Sequence, residues 1–260
     1  MFSRLVDFLE NPFNVYLNLC LFFKNNQTMI PNLKVIAFDA DDTLWINEPL
    51  FQATEKKFCD MLEDFLPHHT VSRELLKIEI ENMPLYGYGV KAFMLSMVEA
   101  AIKISGGTIG TDAIEKIIDL GKELLDSPVE NIEGVEEVLK TLKTQNKYRL
   151  IMATKGDLLD QERKLEKSGL SKYFHHTEIV SEKNEAEYRR IIKHLDIEPS
   201  GFLMIGNSLK SDIMPILNIG GHGFHVPYHT TWAYEKVEKK VEHPNFRQLN
   251  KISEVLDFLD

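Results

Sequence analysis

Cysteine is scarce. The 260 residues hold two, Cys20 and Cys59, without the spacing of a metal cluster or a redox pair. That excludes a disulfide-stapled scaffold and fits a reducing cytoplasm, the compartment we expect. Long apolar runs are missing as well: no stretch reaches the ~18 apolar residues that a membrane span needs. Leu17–Phe23 is apolar apart from Asn18. It lacks a charged start, a long apolar middle and a small-residue cleavage site, so it does not read as a secretory signal. Met29 stands just before IPNLKVIAFDA. Residues 1–28 are therefore read as an N-terminal extension upstream of a natural start, with a short surface helix over Phe2–Phe23. Positive charge is in deficit, with 30 Lys and Arg against 40 Asp and Glu, a net charge of −10. This excludes a nucleic-acid polymer or an anionic membrane as the main partner, but not a small anionic metabolite held by local lysines. Internal repeats and low-complexity segments are absent, and nothing specifies an oligomer.

Hydrophobic residues make up 43% of the chain and charged residues 27%, the balance of a globular protein with a substantial core. The chain is organised around KVIAFDADDTLW, residues 34–45. Val35, Ile36, Ala37 and Phe38 read as a buried strand of a parallel sheet. Asp39, Asp41 and Asp42 follow at its carboxyl end, the usual ligand crevice of an open α/β sheet. Carboxylates so close repel one another unless a cation, a proton or water lies between them. Oxygen-only donors suit Mg²⁺. The plainer reading makes Asp41, Asp42 and Thr43 a polar turn that caps a helix.

Residues 49–125 read as helices throughout. Phe51, Phe58, Leu62 and Phe65 recur at helical spacing up to Pro67, and a short helix through Leu75 and Leu76 precedes Pro84. Val90–Ile102 and Ile114–Leu125 carry amphipathic stripes. Met and Phe along them are helix-packing core. Strands and helices then alternate. Tyr148–Ala153, Glu178–Val180, Phe202–Ile205 and Phe224–Val226 are the strands, and Ile252–Leu259 is a terminal helix. The charged run Glu235–Glu242 reads as a solvated segment. Such alternation implies a parallel sheet of at least five strands with right-handed crossovers. Each polar cluster follows a strand, so Asp39, Asp41, Thr154, Lys183, Asn207 and Asp212 fall on one edge of the sheet. His222, His225 and His229 lack matching carboxylates and are not read as a metal site.

FDADDTL resembles the DxDxT motif of the haloacid dehalogenase-like (HAD) superfamily. IMATKGD resembles its second motif, Lys183 in VSEKNEAEY its third, and IGNSLKSDI its fourth. The resemblance spans residues 34–226. It implies an α/β, HAD-like Rossmannoid core over residues 29–48 and 126–260, with an all-helical cap over 49–125. It also implies roles: Asp39 as a nucleophile towards phosphorus, Asp41 as general acid and base, and Thr154 and Lys183 as phosphate-binding groups. Mg²⁺ would lie between Asp39, the backbone carbonyl of Asp41, and Asp212. The fourth motif departs from the family at Asn207, which replaces an acid and would hold a metal-bound water or brace the ligands. Haloacid dehalogenases lack the second Asp of the first motif, so Asp41 points to phosphatases or phosphomutases. The expectation is Mg²⁺-dependent hydrolysis of a small phosphomonoester through an aspartyl-phosphate. The alternatives are a phosphomutase, or a binding protein that keeps the fold without catalysis. Tyr86, Tyr88 and Lys91 are further cap residues that could face the site.

Overall fold

The computed structural model describes residues 30–237 and 240–259. The extension over residues 1–28, its surface helix and Met29 lie outside them. Six strands form one wholly parallel sheet: β1 (Val35–Phe38), β2 (Arg149–Lys155), β3 (His176–Val180), β4 (Phe202–Gly206), β5 (His222–His225) and β6 (Phe246–Gln248), in the order β3-β2-β1-β4-β5-β6. β1 lies at the centre, where the chain turns to build outwards in both directions. Strand side chains alternate faces. Ile36 and Phe38 accordingly join one apolar cluster with Leu139, Leu150 and Leu203, while Val35 and Ala37 join another with Ile191, Phe202 and Ile216. Helices cover both faces, which is why β1 is apolar at every position.

Between β1 and the rest of the sheet the chain makes four helices: α1 (Glu48–Met61), α2 (His68–Tyr86), α3 (Val90–Ile104) and α4 (Thr111–Asp126). Their apolar stripes meet in a separate core of Phe58, Leu75, Ile78, Phe93, Met97 and Ile117. The chain leaves and re-enters side by side. Ile46 N–H donates to the Glu130 carbonyl at 2.9 Å, and Ile132 N–H to the Leu44 carbonyl at 2.9 Å. The sheet helices follow: α5 (Val135–Gln145), α6 (Leu158–Lys167), α7 (Glu185–His194) and the short α8 (Met214–Asn218). The architecture is the expected α/β core with a helical cap. No helix among the described residues is long and apolar enough to cross a membrane.

Several details differ from the sequence reading, among them that α1 stops at Met61, short of Leu62 and Phe65. α2 runs through Pro84 to Tyr86 instead of stopping before it. The proline sits in the last turn, and Ile80, whose carbonyl loses its helical donor, is 43% exposed, so water can serve it. β6 is an additional edge strand of three residues, too short to carry a pattern. The C-terminal segment Ile252–Phe258 is a 3₁₀ helix.

Candidate active site

β1 stops at Phe38, but Asp39 N–H still donates to the Ile205 carbonyl at 2.9 Å, so Asp39 is held in register with β4. The backbone then folds into a tight turn. Thr43 and Leu44 N–H both donate to the Ala40 carbonyl, and Asp42 takes a left-handed φ of 59°. This turn divides the work among the three acids. The Asp42 carboxylate accepts from Asn47 and Glu48 N–H at 2.9–3.1 Å, capping α1. Burial, against those bonds and with Asp41 and Asp39 nearby, pushes the Asp42 carboxyl up to about 7. The capping reading is thus correct for Asp42, which also borders the crevice but has its carboxylate engaged by the helix start, whereas Asp39 and Asp41 make no such cap.

Asp39 is 7% exposed. Its Oδ1 is ion-paired with Lys183 Nζ, and its Oδ2 faces the Thr43 hydroxyl at 3.2 Å. Thr43 Oγ1 also faces Asn207 Oδ1 at 3.3 Å and accepts from Asn207 N–H at 3.1 Å. The hydroxyl has one proton, so it serves one of those two acceptors at a time. Lys183 Nζ also donates to Asp212 Oδ1 at 2.7 Å, and Asp212 Oδ2 accepts from Ser208 N–H at 2.9 Å. Asp212 sits in a π-helical turn, Leu209–Ile213, that folds back over the end of β4. Gly206 makes room for it: a Cβ there would lie 2.2 Å from Asp212 Oδ2. Burial and the charge of Asp212 raise the Asp39 carboxyl to about 7, although Lys183 opposes both. Burial also works against the charge of Lys183, but Asp212 and Asp39 outweigh it and hold the ammonium above its usual range.

Asp41 takes three donors. Trp45 Nε1 lies at 2.7 Å, Gln161 Nε2 at 2.8 Å and Lys164 Nζ at 3.0 Å. Gln161 and Lys164 stand on α6, which Asp157 caps through the Asp160 N–H. Thr154, 1% exposed, is the last residue but one of β2 and lies at the same crevice. All six residues singled out in the sequence line one cavity of about 190 Å³ between the sheet edge and the cap.

The sequence reading missed a second cluster beside them. Lys155 Nζ pairs with Glu235 Oε1 at 2.5 Å and donates to Ser211 Oγ at 2.8 Å. Glu235 also accepts from the hydroxyls of Ser208 and Ser211. Burial pushes Glu235 up, yet Lys155 and the two serines hold it below the usual carboxylate range. The run that read as solvated thus delivers a partly buried acid. Of the three cap candidates, Tyr88 faces the cavity, with its ring 4.2 Å from Lys155 Nζ and its hydroxyl on Glu182. Tyr86 is 49% exposed and outside the cavity. Lys91 ties cap to core through Asp157 at 2.8 Å. His225 donates from Nε2 to the Asn207 carbonyl at 2.9 Å, a bracing role with no metal set.

The donors suit a hard dication. Asp39 and Asp212 are buried together with one ammonium between them, and their neighbours Asn207 and Thr43 offer oxygen; among the described residues the cavity wall carries no cysteine and no histidine. One lysine against two buried carboxylates leaves a surplus of negative charge that Mg²⁺ would relieve.

The model of the haloacid dehalogenase-like hydrolases matches residues 33–220. Among solved structures, the chain resembles a haloacid dehalogenase-like family hydrolase from Xanthomonas campestris at 36% identity and a TM-score of 0.77, over 86% of this chain and 88% of that one. It also resembles a predicted phosphoglycolate phosphatase from Haemophilus somnus, at 18% identity and 0.59, over 88% and 99% of the two chains. A 2-haloacid dehalogenase from Pseudomonas syringae matches at 17% and 0.58, over 87% and 98%. The last two share the fold, and their names cover both phosphorus and carbon–halogen chemistry. No curated protein matches. A family match over most of the chain, on a sheet that gathers all four motifs at one crevice, has one meaning: the chain belongs to the haloacid dehalogenase-like hydrolases.

Proposed function

We propose that the protein hydrolyses a small phosphomonoester, with Asp39 as nucleophile and Asp41 as proton donor and acceptor. The observation that carries this is the position of Asp41. It is a second carboxylate on the wall of the same cavity, two residues beyond Asp39 and held by Trp45, Gln161 and Lys164. Carbon–halogen cleavage releases a halide, which needs no proton. A phosphomonoester releases an alkoxide, which does.

An Asp39 carboxylate oxygen forms a bond to phosphorus as the phosphorus–oxygen bond to the leaving group breaks. Asp41 gives its proton to that leaving oxygen. The resulting aspartyl-phosphate is then attacked by water, whose proton Asp41 takes, and the bond from phosphorus to Asp39 breaks to release inorganic phosphate. Lys183 offsets the repulsion between nucleophile and phosphoryl oxygens, and the Thr154 hydroxyl offers them a donor. Asp39, Asp212 and the Asp41 carbonyl would hold Mg²⁺, with Asn207 bracing the set. When bound, the ion supplies charge neutralisation at the phosphoryl oxygens. Phe51, Phe93 and Tyr88 line the cavity from the cap side, where closure over a substrate would exclude water.

A side-by-side assay tests this reading: phosphate release from phosphomonoesters against halide release from 2-haloacids, both with Mg²⁺. Phosphate alone is expected. Halide release without phosphate release would replace the reading with dehalogenation.

A further inference from the structure

A second cluster lies at the far end of β3 from the catalytic loops. β3 is an edge strand of the sheet. His176 and Glu178, two residues apart, share one of its faces. The last turn of α7 packs there and brings His194. His176 Nε2 lies 2.8 Å and His194 Nδ1 3.2 Å from the same atom, Glu178 Oε1. All three donor atoms fall within 4.8 Å of one another. The carboxylate is buried, while the side chains of His176 and His194 are 42% and 61% exposed, so the donors converge at a site that opens to water.

We propose that His176, Glu178 and His194 bind a transition-metal dication of the Zn²⁺ class, apart from the oxygen-only set of the catalytic cavity. Two imidazoles and one carboxylate are ligands such an ion takes, whereas Mg²⁺ prefers oxygen throughout. Bonds of about 2.0–2.2 Å place tetrahedral neighbours roughly 3.4 Å apart. The two separations from Glu178 are slightly shorter than that and the third is bounded by 4.8 Å, so small side-chain rotations admit the ion. Arg190 donates to the other oxygen, Glu178 Oε2, at 3.1 Å. It thereby fixes the carboxylate's orientation and leaves Oε1 facing the two rings. Water fills the remaining position. The ion would staple the start of β3 to the end of α7, the two ends of the unit whose connecting loop carries Lys183.

The test is calorimetric titration of the full-length protein with ZnCl₂ in excess Mg²⁺. One zinc site is expected that the double variant His176→Ala/His194→Ala loses and Asp212→Asn retains. Zinc should also raise the Tm of the wild type by several degrees and leave the double variant unchanged. Should the double variant fold poorly, His194→Gln alone is read in the same way, since its side chain is the most exposed of the three. Equal zinc stoichiometry in wild type and variant overturns the proposal and leaves the trio as a hydrogen-bonded clasp around a buried carboxylate. The readout is binding, so it stands independently of the catalytic assignment.

Discussion

Lys183 Nζ sits between two buried carboxylates, Asp39 and Asp212, and is 5% exposed itself. Its removal leaves both acids without a counter-charge. Lys183→Met should cost about 3–5 kcal/mol in urea unfolding in EDTA. Mg²⁺ should narrow that deficit, because the ion takes over part of the neutralisation; an equal deficit with and without Mg²⁺ would argue against a shared electrostatic site. Glu79, on the cap wall of the cavity, makes a different prediction. Burial, with Glu55 and Glu48 adding repulsion, raises its carboxyl from 4.5 to about 8. The folded protein therefore keeps a proton that the unfolded chain has released, and this contribution to stability falls as pH rises from about 4.5 to 8. Glu79→Gln should flatten the fall, by on the order of 1 kcal/mol after screening by water. Unchanged pH dependence in that variant would contradict the assignment. At this scale the legible residues were the carboxylates, hydroxyl and lysine that lie at strand ends or in the loops just beyond them. Glu235 was not legible, because it stands among alternating charges and meets Lys155 only through a contact spanning 80 residues of sequence.

Strand ends set the reach of each functional group, and β4 shows how tightly. Gly206 closes β4, and a Cβ there would lie 2.2 Å from Asp212 Oδ2 and 2.5 Å from its Cγ. Gly206→Ala must push the Asp212 carboxylate off Lys183 and Ser208. A stability loss of about 1–3 kcal/mol is expected, together with a rise in the Mg²⁺ concentration that half-saturates activity. An alanine variant with unchanged Mg²⁺ dependence would show that Asp212 does not hold the ion. Amphipathic periodicity made α3 and α4 readable, and the continuous apolar run made β1 readable. α2 was harder, because Pro84 reads as a stop until its place in an exposed last turn is seen. β6 left no pattern in its three residues and is fixed by its neighbour β5 through pairs such as Phe224 with Arg247.

On the scale of the molecule, a parallel sheet with β1 at its centre brings residues from 39 to 212 to one crevice, and four helices with their own core close its other side. The order of strands and helices made that architecture readable, because buried parallel strands are apolar throughout while the loops beyond them carry the chemistry. The cavity's lining did not follow from the same reasoning. Which side of the cap looks inward depends on how its helices pack: Tyr86, at the end of α2, is half exposed and outside the cavity, whereas Tyr88, in the turn that follows, lines it. The cap wall, with Glu48, Glu55, Glu79 and Asn82 beside Phe51 and Phe93, is where substrates of one chemistry would be told from another. The most direct measurement is phosphate release from a panel of phosphomonoesters in Mg²⁺ by the wild type and by Asp39→Asn. The proposed mechanism predicts release by the wild type, its loss in EDTA, and turnover abolished in the variant with the fold retained by circular dichroism. Phosphate release that survives Asp39→Asn would contradict it.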